Sequence, residues 1–165
     1  MKAFAEEAWA VWPEATLLVS AETESAPSGL FRDALLAADT TGFLNDPRIL
    51  PTTHNYVEGR SPTQVTSQPC FWDLDRFACA YDAFKAHGHP DPQVWVTEFG
   101  WESDTPSGFH YLDTVSEQTQ ADYTREALQI FRDSGKVARA YSFMFRIDDP
   151  WNYNWLRPRR TVRGC

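Results

Sequence analysis

The feature that most constrains the fold is a fourfold alternation of helix-like and strand-like segments along the 165 residues. Apolar residues three and four positions apart predict helices over residues 2–12, beginning at residues 27–29, over residues 73–87 and over residues 116–133. Short apolar runs predict strands at residues 16–20, 48–54, 93–98 and 137–146. Helical crossovers between strands predict an α/β sheet or barrel of parallel strands, with the helices on its outer side.

The third predicted strand ends in a carboxylate. Its residues Val94, Trp95 and Val96 lack polar alternation, which is typical of a parallel strand covered on both faces. With a side-chain period of two, Val94, Val96 and Glu98 are expected to share one face, so that a charged residue ends an apolar row. A carboxylate at the end of a barrel strand indicates a catalytic residue. The alternative is that Glu98 caps a turn or pairs with an arginine.

The composition excludes two classes of partner. A net charge of -8 and a pI near 4.9 argue against binding to nucleic acid or to an anionic membrane surface, both of which require a basic face. The chain has no run of about 18 apolar residues, and we expect its first residues to form an amphipathic helix and not a signal peptide. A neutral substrate fits this charge, and seven Trp suit stacking on flat sugar faces.

Neither cysteine nor histidine spacing indicates a metal or redox site. Cys70, Cys79 and Cys165 match no zinc or redox motif, and we expect them to be free thiols. His87 and His89 have the spacing of a metal pair, but no Cys or carboxylate cluster accompanies them. The sequence therefore predicts no metal site and no cofactor.

A family resemblance rests on the run from Trp95 to Trp101, which reads Trp-Val-Thr-Glu-Phe-Gly-Trp. It resembles the nucleophile strand of retaining glycoside hydrolases built on (β/α)8 barrels, the families grouped around families 5 and 39. In those enzymes the nucleophile ends the seventh strand, so the resemblance implies that Glu98 is the nucleophile. An intact barrel needs about 250 residues. The resemblance thus implies that residues 1–165 form one partial domain, the C-terminal half-barrel with strands five to eight.

The neighbouring strands supply candidate sugar-binding residues. The resembled families place a His and a Tyr at the end of the sixth strand, where His54 and Tyr56 project to one side. A tyrosine hydroxyl can orient a carboxylate, and an imidazole can hydrogen-bond a sugar hydroxyl. The alternative is a structural histidine bonded to backbone groups.

Aromatic residues complete the set of candidates. Trp101 adjoins the nucleophile turn, and Phe143 or Phe145 stands where many members of the families carry a Trp on strand eight. Trp151 and Trp155 follow and are candidates for further sugar subsites. For these last two, the alternative is a loop packed on its own aromatic rings.

The second catalytic carboxyl group has no evident position. Retaining glycosidases need two carboxyl groups about 5 to 5.5 Å apart. In the resembled families the acid/base is a Glu that follows Asn on strand four, and the chain contains no Asn-Glu dipeptide. Glu22 and Glu24 lie just beyond the predicted strand at residues 16–20, where the families have no acid.

Two functions follow. The first is the nucleophile half of a retaining β-glycoside hydrolase that acts on O-glycosidic bonds of a poly- or oligosaccharide. Its other half would come from a missing N-terminal half-barrel or from self-association. The second is a non-catalytic relic or carbohydrate-binding module. Full-length relatives are often secreted, and the sequence itself assigns no compartment.

Overall fold

The computed structural model describes residues 1–22, 29–66, 70, 73–103 and 113–143, without the side chains of residues 20–22. The helices in these ranges are α1 (Lys2–Val11), α2 (Leu30–Ala38), α3 (Arg76–His87) and α4 (Glu117–Ser134). The strands are β1 (Leu17–Glu22), β2 (Ile49–Tyr56), β3 (Val94–Gly100) and β4 (Val137–Ser142). A short 3-10 helix, Phe43–Asn45, precedes β2 and was not predicted.

The four strands form one sheet in the order β1-β2-β3-β4, and every adjacent pair is parallel. The predicted alternation and the parallel pairing are confirmed. The predicted last strand was longer, since β4 ends at Ser142 and residues 144–146 lie outside the described part. Each crossover steps to the next strand in the same direction, so right-handed connections place the helices on one side. This arrangement is consistent with a partial (β/α) barrel.

The predicted ends of the helices have local causes. Ser116 caps α4, because its hydroxyl accepts a hydrogen bond of 3.1 Å from the backbone N–H of Thr119. Gly135 ends the same helix with a φ of 65°, a left-handed conformation that favours glycine. Gly88 ends α3 in the same way, with a φ of 115°.

The main apolar core lies between the sheet and helices α3 and α4. Val94, Val96 and Phe99 of β3 pack there with Phe77 of α3 and Phe131 of α4. The Phe131 ring meets the other two rings edge to face, with centroids 5.1 Å from Phe99 and 5.4 Å from Phe77. A smaller cluster joins β1 and β2 to the 3-10 helix and α3. The helices therefore close one face of the sheet.

The prediction of free thiols is wrong for two of the three cysteines. Cys70 and Cys79 form a disulfide with a Cα–Cα distance of 5.7 Å. It ties the segment before α3 to the first half of that helix. Spacing alone did not reveal the bond, because it forms only when this segment folds back on the helix. Cys165 lies outside the described residues.

Within the described ranges, no helix combines the length and apolar character needed to cross a membrane.

Candidate active site

Between Val96 and Phe99, strand β3 contains one residue more than either neighbouring strand. On the β2 side, Thr53 pairs with Val96, whereas the next residue, His54, pairs with Glu98. Thr97 is therefore an extra residue in β3, and the register with β4 shows the same excess between Val96 and Phe99. This irregularity is a β-bulge, which changes the face to which the following side chains point.

The bulge separates Glu98 from the apolar residues of its own strand. Val94, Val96 and Phe99 are 0% exposed and point towards the helices, on what we call the helix face. The Glu98 side chain is 34% exposed and points to the other side, the open face, which also carries Trp95 of the same strand. The prediction that Val94, Val96 and Glu98 share a face is thus wrong. Strict alternation would have buried the carboxylate in the helix layer.

At the carboxyl ends of β2 and β3, two side chains of β2 contact the Glu98 carboxylate. The Tyr56 hydroxyl donates a hydrogen bond of 2.8 Å to Oε2 of Glu98. His54 Nδ1 lies 3.5 Å from the same oxygen, a distance that makes an ion pair when the imidazole is protonated. Both residues follow the period of two along β2, as predicted. The structure therefore brings the candidate nucleophile and its two predicted neighbours together.

A ring from β4 completes this cluster. Phe143 directly follows β4, and its ring meets the Tyr56 ring edge to face with centroids 6.1 Å apart. Its backbone N–H donates to the carbonyl of Phe99 at 2.8 Å, which fixes the end of β4 beside β3. Phe143 is thus part of the cluster because its ring packs against Tyr56.

Trp101 does not occupy the predicted position on the rim. It is 1% exposed, its indole N–H donates to the carbonyl of Arg60 at 2.8 Å, and its ring packs on Tyr123 of α4. Because its polar group and ring are both engaged in the interior, no face of Trp101 is open to a ligand. Phe145, Trp151, Trp155 and Glu24 lie outside the described residues, as does the side chain of Glu22.

One residue of the site surroundings was missed from the sequence. Arg76, at the first position of α3, donates hydrogen bonds from its guanidinium to the backbone carbonyls of His54 at 2.6 Å and Tyr56 at 3.1 Å. An arginine at the start of a helix gives no sequence signal of such a contact, since charged residues there are ordinarily exposed.

The described residues include no group of three His, Cys, Asp or Glu side chains that could hold a metal ion. His87 and His89 each contact a different group of the protein instead. His87 Nε2 lies 3.2 Å from the Asp39 carboxylate, and His89 Nε2 lies 3.1 Å from the backbone carbonyl of Asp46.

A family model described as "Glycosyl hydrolase catalytic core" matches residues 54–157. The chain belongs to this family. The matched part begins at His54 and includes Tyr56, Glu98 and Phe143, so the whole cluster lies within the glycosyl hydrolase catalytic core. Membership in this family implies a carbohydrate substrate. No curated protein matches the chain.

Proposed function

We propose that this glycosyl hydrolase core is the nucleophile half of a retaining β-glycoside hydrolase and that Glu98 is the nucleophile. The observation that carries the proposal is the hydrogen bond of 2.8 Å from the Tyr56 hydroxyl to Glu98 Oε2 on the open face. Among the described residues, the two side-chain contacts of this carboxylate both fall on Oε2. Oε1 is then the oxygen that faces the sugar.

The reaction follows from this geometry. Oε1 attacks the anomeric carbon, the bond from that carbon to the leaving oxygen breaks, and a glycosyl ester of Glu98 forms. The leaving oxygen takes a proton from an acid. Water then attacks the same carbon and loses its proton to the conjugate base of that acid, and Glu98 is released as a carboxylate. Two inversions at the carbon give net retention.

The neighbours of Glu98 have distinct roles in this proposal. The Tyr56 hydroxyl holds the carboxylate in one orientation by donating to the oxygen that does not attack. The His54 imidazole, whose Nδ1 lies 3.5 Å from the same oxygen, hydrogen-bonds a sugar hydroxyl through Nε2 in this proposal. Phe143 forms an apolar wall beside the sugar.

Aromatic residues further along the chain extend the proposed site. Phe145, Trp151 and Trp155 lie within the part matched by the family, and their rings suit stacking on further sugars of a poly- or oligosaccharide.

The second carboxyl group belongs to another part of the barrel in this proposal. The described side chains that contact Glu98 are a tyrosine and a histidine, and neither is a carboxylic acid. We assign the chain to strands five to eight of a (β/α)8 barrel related to families 5 and 39. The acid/base then comes from strand four, in the missing N-terminal half or in an associated half-barrel.

The test uses a substrate that does not need the acid. A 2,4-dinitrophenyl 2-deoxy-2-fluoro-β-glycoside carries a leaving group that departs without protonation, and the fluorine slows hydrolysis of the ester, which therefore accumulates. We expect one label per chain on the peptide that contains Glu98, measured by mass spectrometry. A panel of glucosides, mannosides and xylosides identifies the sugar.

Two variants control this experiment. Glu98→Gln should take no label, whereas Glu6→Gln, which alters an exposed carboxylate on α1, should be labelled as the parent is. Labelling of another residue, or none at any sugar, would refute Glu98 as the nucleophile. Oligosaccharide binding without labelling is the result expected of a non-catalytic carbohydrate-binding module.

Turnover by the isolated chain tests the half-site proposal separately. Without the acid, ordinary aryl β-glycosides should not be hydrolysed at an enzymatic rate, since general acid/base catalysis contributes about 10² to 10⁴ in rate. Clear turnover that disappears in Glu98→Gln would place an acid within these 165 residues and contradict the half-site proposal.

A further inference from the structure

We propose that Arg76 is a positioning residue of this site and that its guanidinium holds the carboxyl end of β2 so that Tyr56 and His54 meet Glu98. The role of Arg76 in catalysis rests on the proposed function, whereas its hydrogen bonds to the carbonyls of His54 and Tyr56 do not. The described hydrogen bonds of the Arg76 guanidinium go to the backbone and not to the Glu98 carboxylate. Arg76 acts through the backbone of two residues that contact Glu98.

The end of β2 needs such a partner. The described pairing between β1 and β2 ends at Glu22 and Thr53, so the last residues of β2 extend beyond that ladder. The carbonyls of His54 and Tyr56 are two residues apart and therefore point to the same side of the strand. Buried carbonyls require a hydrogen-bond donor, and Arg76, which is 2% exposed, supplies one to each.

The chemistry of the guanidinium suits this task. Two carbonyls two residues apart require two donors at a fixed spacing, and the planar guanidinium offers donors in a rigid fork. A lysine ammonium is a single point charge on a flexible stem, so it cannot hold both carbonyls in the same fixed geometry. Charge also strengthens each hydrogen bond relative to one between neutral groups.

The start of α3, which carries Arg76, is itself tied to its surroundings. The Asn55 side chain lies on the opposite side of the strand from Tyr56, and its Nδ2 donates to the carbonyl of Leu74 at 2.6 Å. The disulfide from Cys70 to Cys79 joins the preceding segment to the helix. Three consecutive residues of β2 are thus bound to residues 74–76, two of them through Arg76.

The consequence for catalysis is one of geometry. The Tyr56 carbonyl that Arg76 holds and the Tyr56 hydroxyl that meets Glu98 belong to one residue. Loss of the fork therefore lets the Tyr56 ring shift relative to the Glu98 carboxylate. A displacement of about 1 Å at a reacting group costs roughly 10²-fold in rate.

The experiment compares Arg76→Gln and Arg76→Lys with Arg132→Gln in the full chain. Arg132 lies in the last turn of α4 with its side chain exposed, so its replacement is a matched loss of an arginine. We expect the limiting rate of Glu98 labelling by the dinitrophenyl 2-fluoroglycoside to fall roughly 10²-fold in both Arg76 variants. The glycoside concentration for half the limiting rate should change little. Arg132→Gln should label at the parental rate.

A second readout is independent of the glycoside. In nuclear magnetic resonance spectra, the Overhauser contact between the Tyr56 and Phe143 rings should weaken in both Arg76 variants and persist in Arg132→Gln. Unchanged ring contacts together with an unchanged labelling rate would overturn the proposal. If the parent chain itself takes no label, the proposed function fails and the ring contacts alone decide the role of Arg76.

If the Arg76 variants do not fold, a measurement on the parent chain still tests the proposal. The guanidinium hydrogens of Arg76 should exchange slowly with water and rotate slowly, in contrast to those of Arg132. Fast exchange and free rotation at Arg76 would overturn the proposal without any substitution.

Discussion

The two faces of the sheet differ in what they can do. On the helix face, Val94, Val96 and Phe99 are fully buried among rings from α3 and α4. On the open face, Glu98 is partly exposed, and Tyr141 of β4, whose ring contacts Trp95, is 47% exposed. The comparison shows that one strand supplies both the core of the fold and the candidate nucleophile. The extra residue Thr97 makes this possible, because it turns Glu98 away from the apolar layer.

The difference also explains why the two faces should respond differently to substitution. Stability on the helix face comes from close packing, so the removal of a side chain there leaves a cavity and destabilises the fold. The contacts of Glu98 on the open face are polar and partly exposed to water, so their net contribution to folding is small. Substitutions on the helix face should therefore unfold the chain, while those on the open face should alter chemistry.

The largest effect is expected from Phe99→Ala. This ring is fully buried against Phe131, and its loss leaves a cavity that the helices cannot fill. The free energy of unfolding should fall by about 3 to 5 kcal/mol. Urea denaturation followed by circular dichroism measures it, with Tyr141→Ala on the open face as the control. Equal losses in the two variants would break the distinction between the faces.

A smaller loss of stability is expected when Asp39, the residue that follows α2, is replaced. The Asp39 carboxylate accepts hydrogen bonds from the backbone N–H groups of Leu44 at 2.7 Å and Phe43 at 3.0 Å, and it contacts His87. Burial alone raises the pKa of Asp39, but the bonds from Leu44, His87 and Phe43 outweigh burial and hold the pKa well below its usual range. Asp39→Asn should lower the free energy of unfolding by about 1.5 to 3 kcal/mol at pH 7.

The pH dependence of this loss has a defined sign. Because the folded pKa of Asp39 is depressed, its stabilisation is complete above the unfolded pKa of about 3.9 and is lost as the pH falls towards the folded pKa. The difference between the parent and Asp39→Asn should stay constant from pH 7 to about 5 and shrink below about pH 4. Urea midpoints across this range test it, with Glu6→Gln as the control. A difference that grows on acidification would contradict the assignment.

The smallest effect on stability is expected from Tyr56→Phe, which removes only the hydroxyl that meets Glu98. One hydrogen bond contributes about 0.5 to 1.5 kcal/mol to folding, and relief of the polar contact offsets part of it. The labelling rate of Glu98 should nevertheless fall, because the carboxylate loses its orienting partner. Denaturation and labelling of the same sample sharpen the comparison. A large loss of stability with unchanged labelling would show that Tyr56 belongs to the core alone.

The strands and helices were predictable because periodicity and capping are local signals. The long amphipathic helix α4 was predicted over residues 116–133 and is found at Glu117–Ser134, and the order of segments alone predicted parallel pairing. The proximity of His54 and Tyr56 to Glu98 followed from the rule that strand ends meet at one edge of the sheet.

The features that were missed depend on contacts between distant segments. The bulge at Thr97 is set by the register with both neighbouring strands, so alternation within β3 predicted the wrong face for Val96 relative to Glu98. Trp101 was expected on the rim, but its indole N–H donates a hydrogen bond to the carbonyl of Arg60 in another loop. Arg76 likewise has no local signal of its bonds to the end of β2.

The central claim is that the bulge directs Glu98 to the open face while Val96 stays in the core. The most direct measurement compares thiol reactivity of Glu98→Cys and Val96→Cys in the native chain, with Cys165→Ser as the background. We predict that the thiol at position 98 reacts readily with a maleimide, while the thiol at position 96 reacts only after unfolding. Equal protection of the two thiols in native protein would contradict the account, because it would place Glu98 in the helix layer.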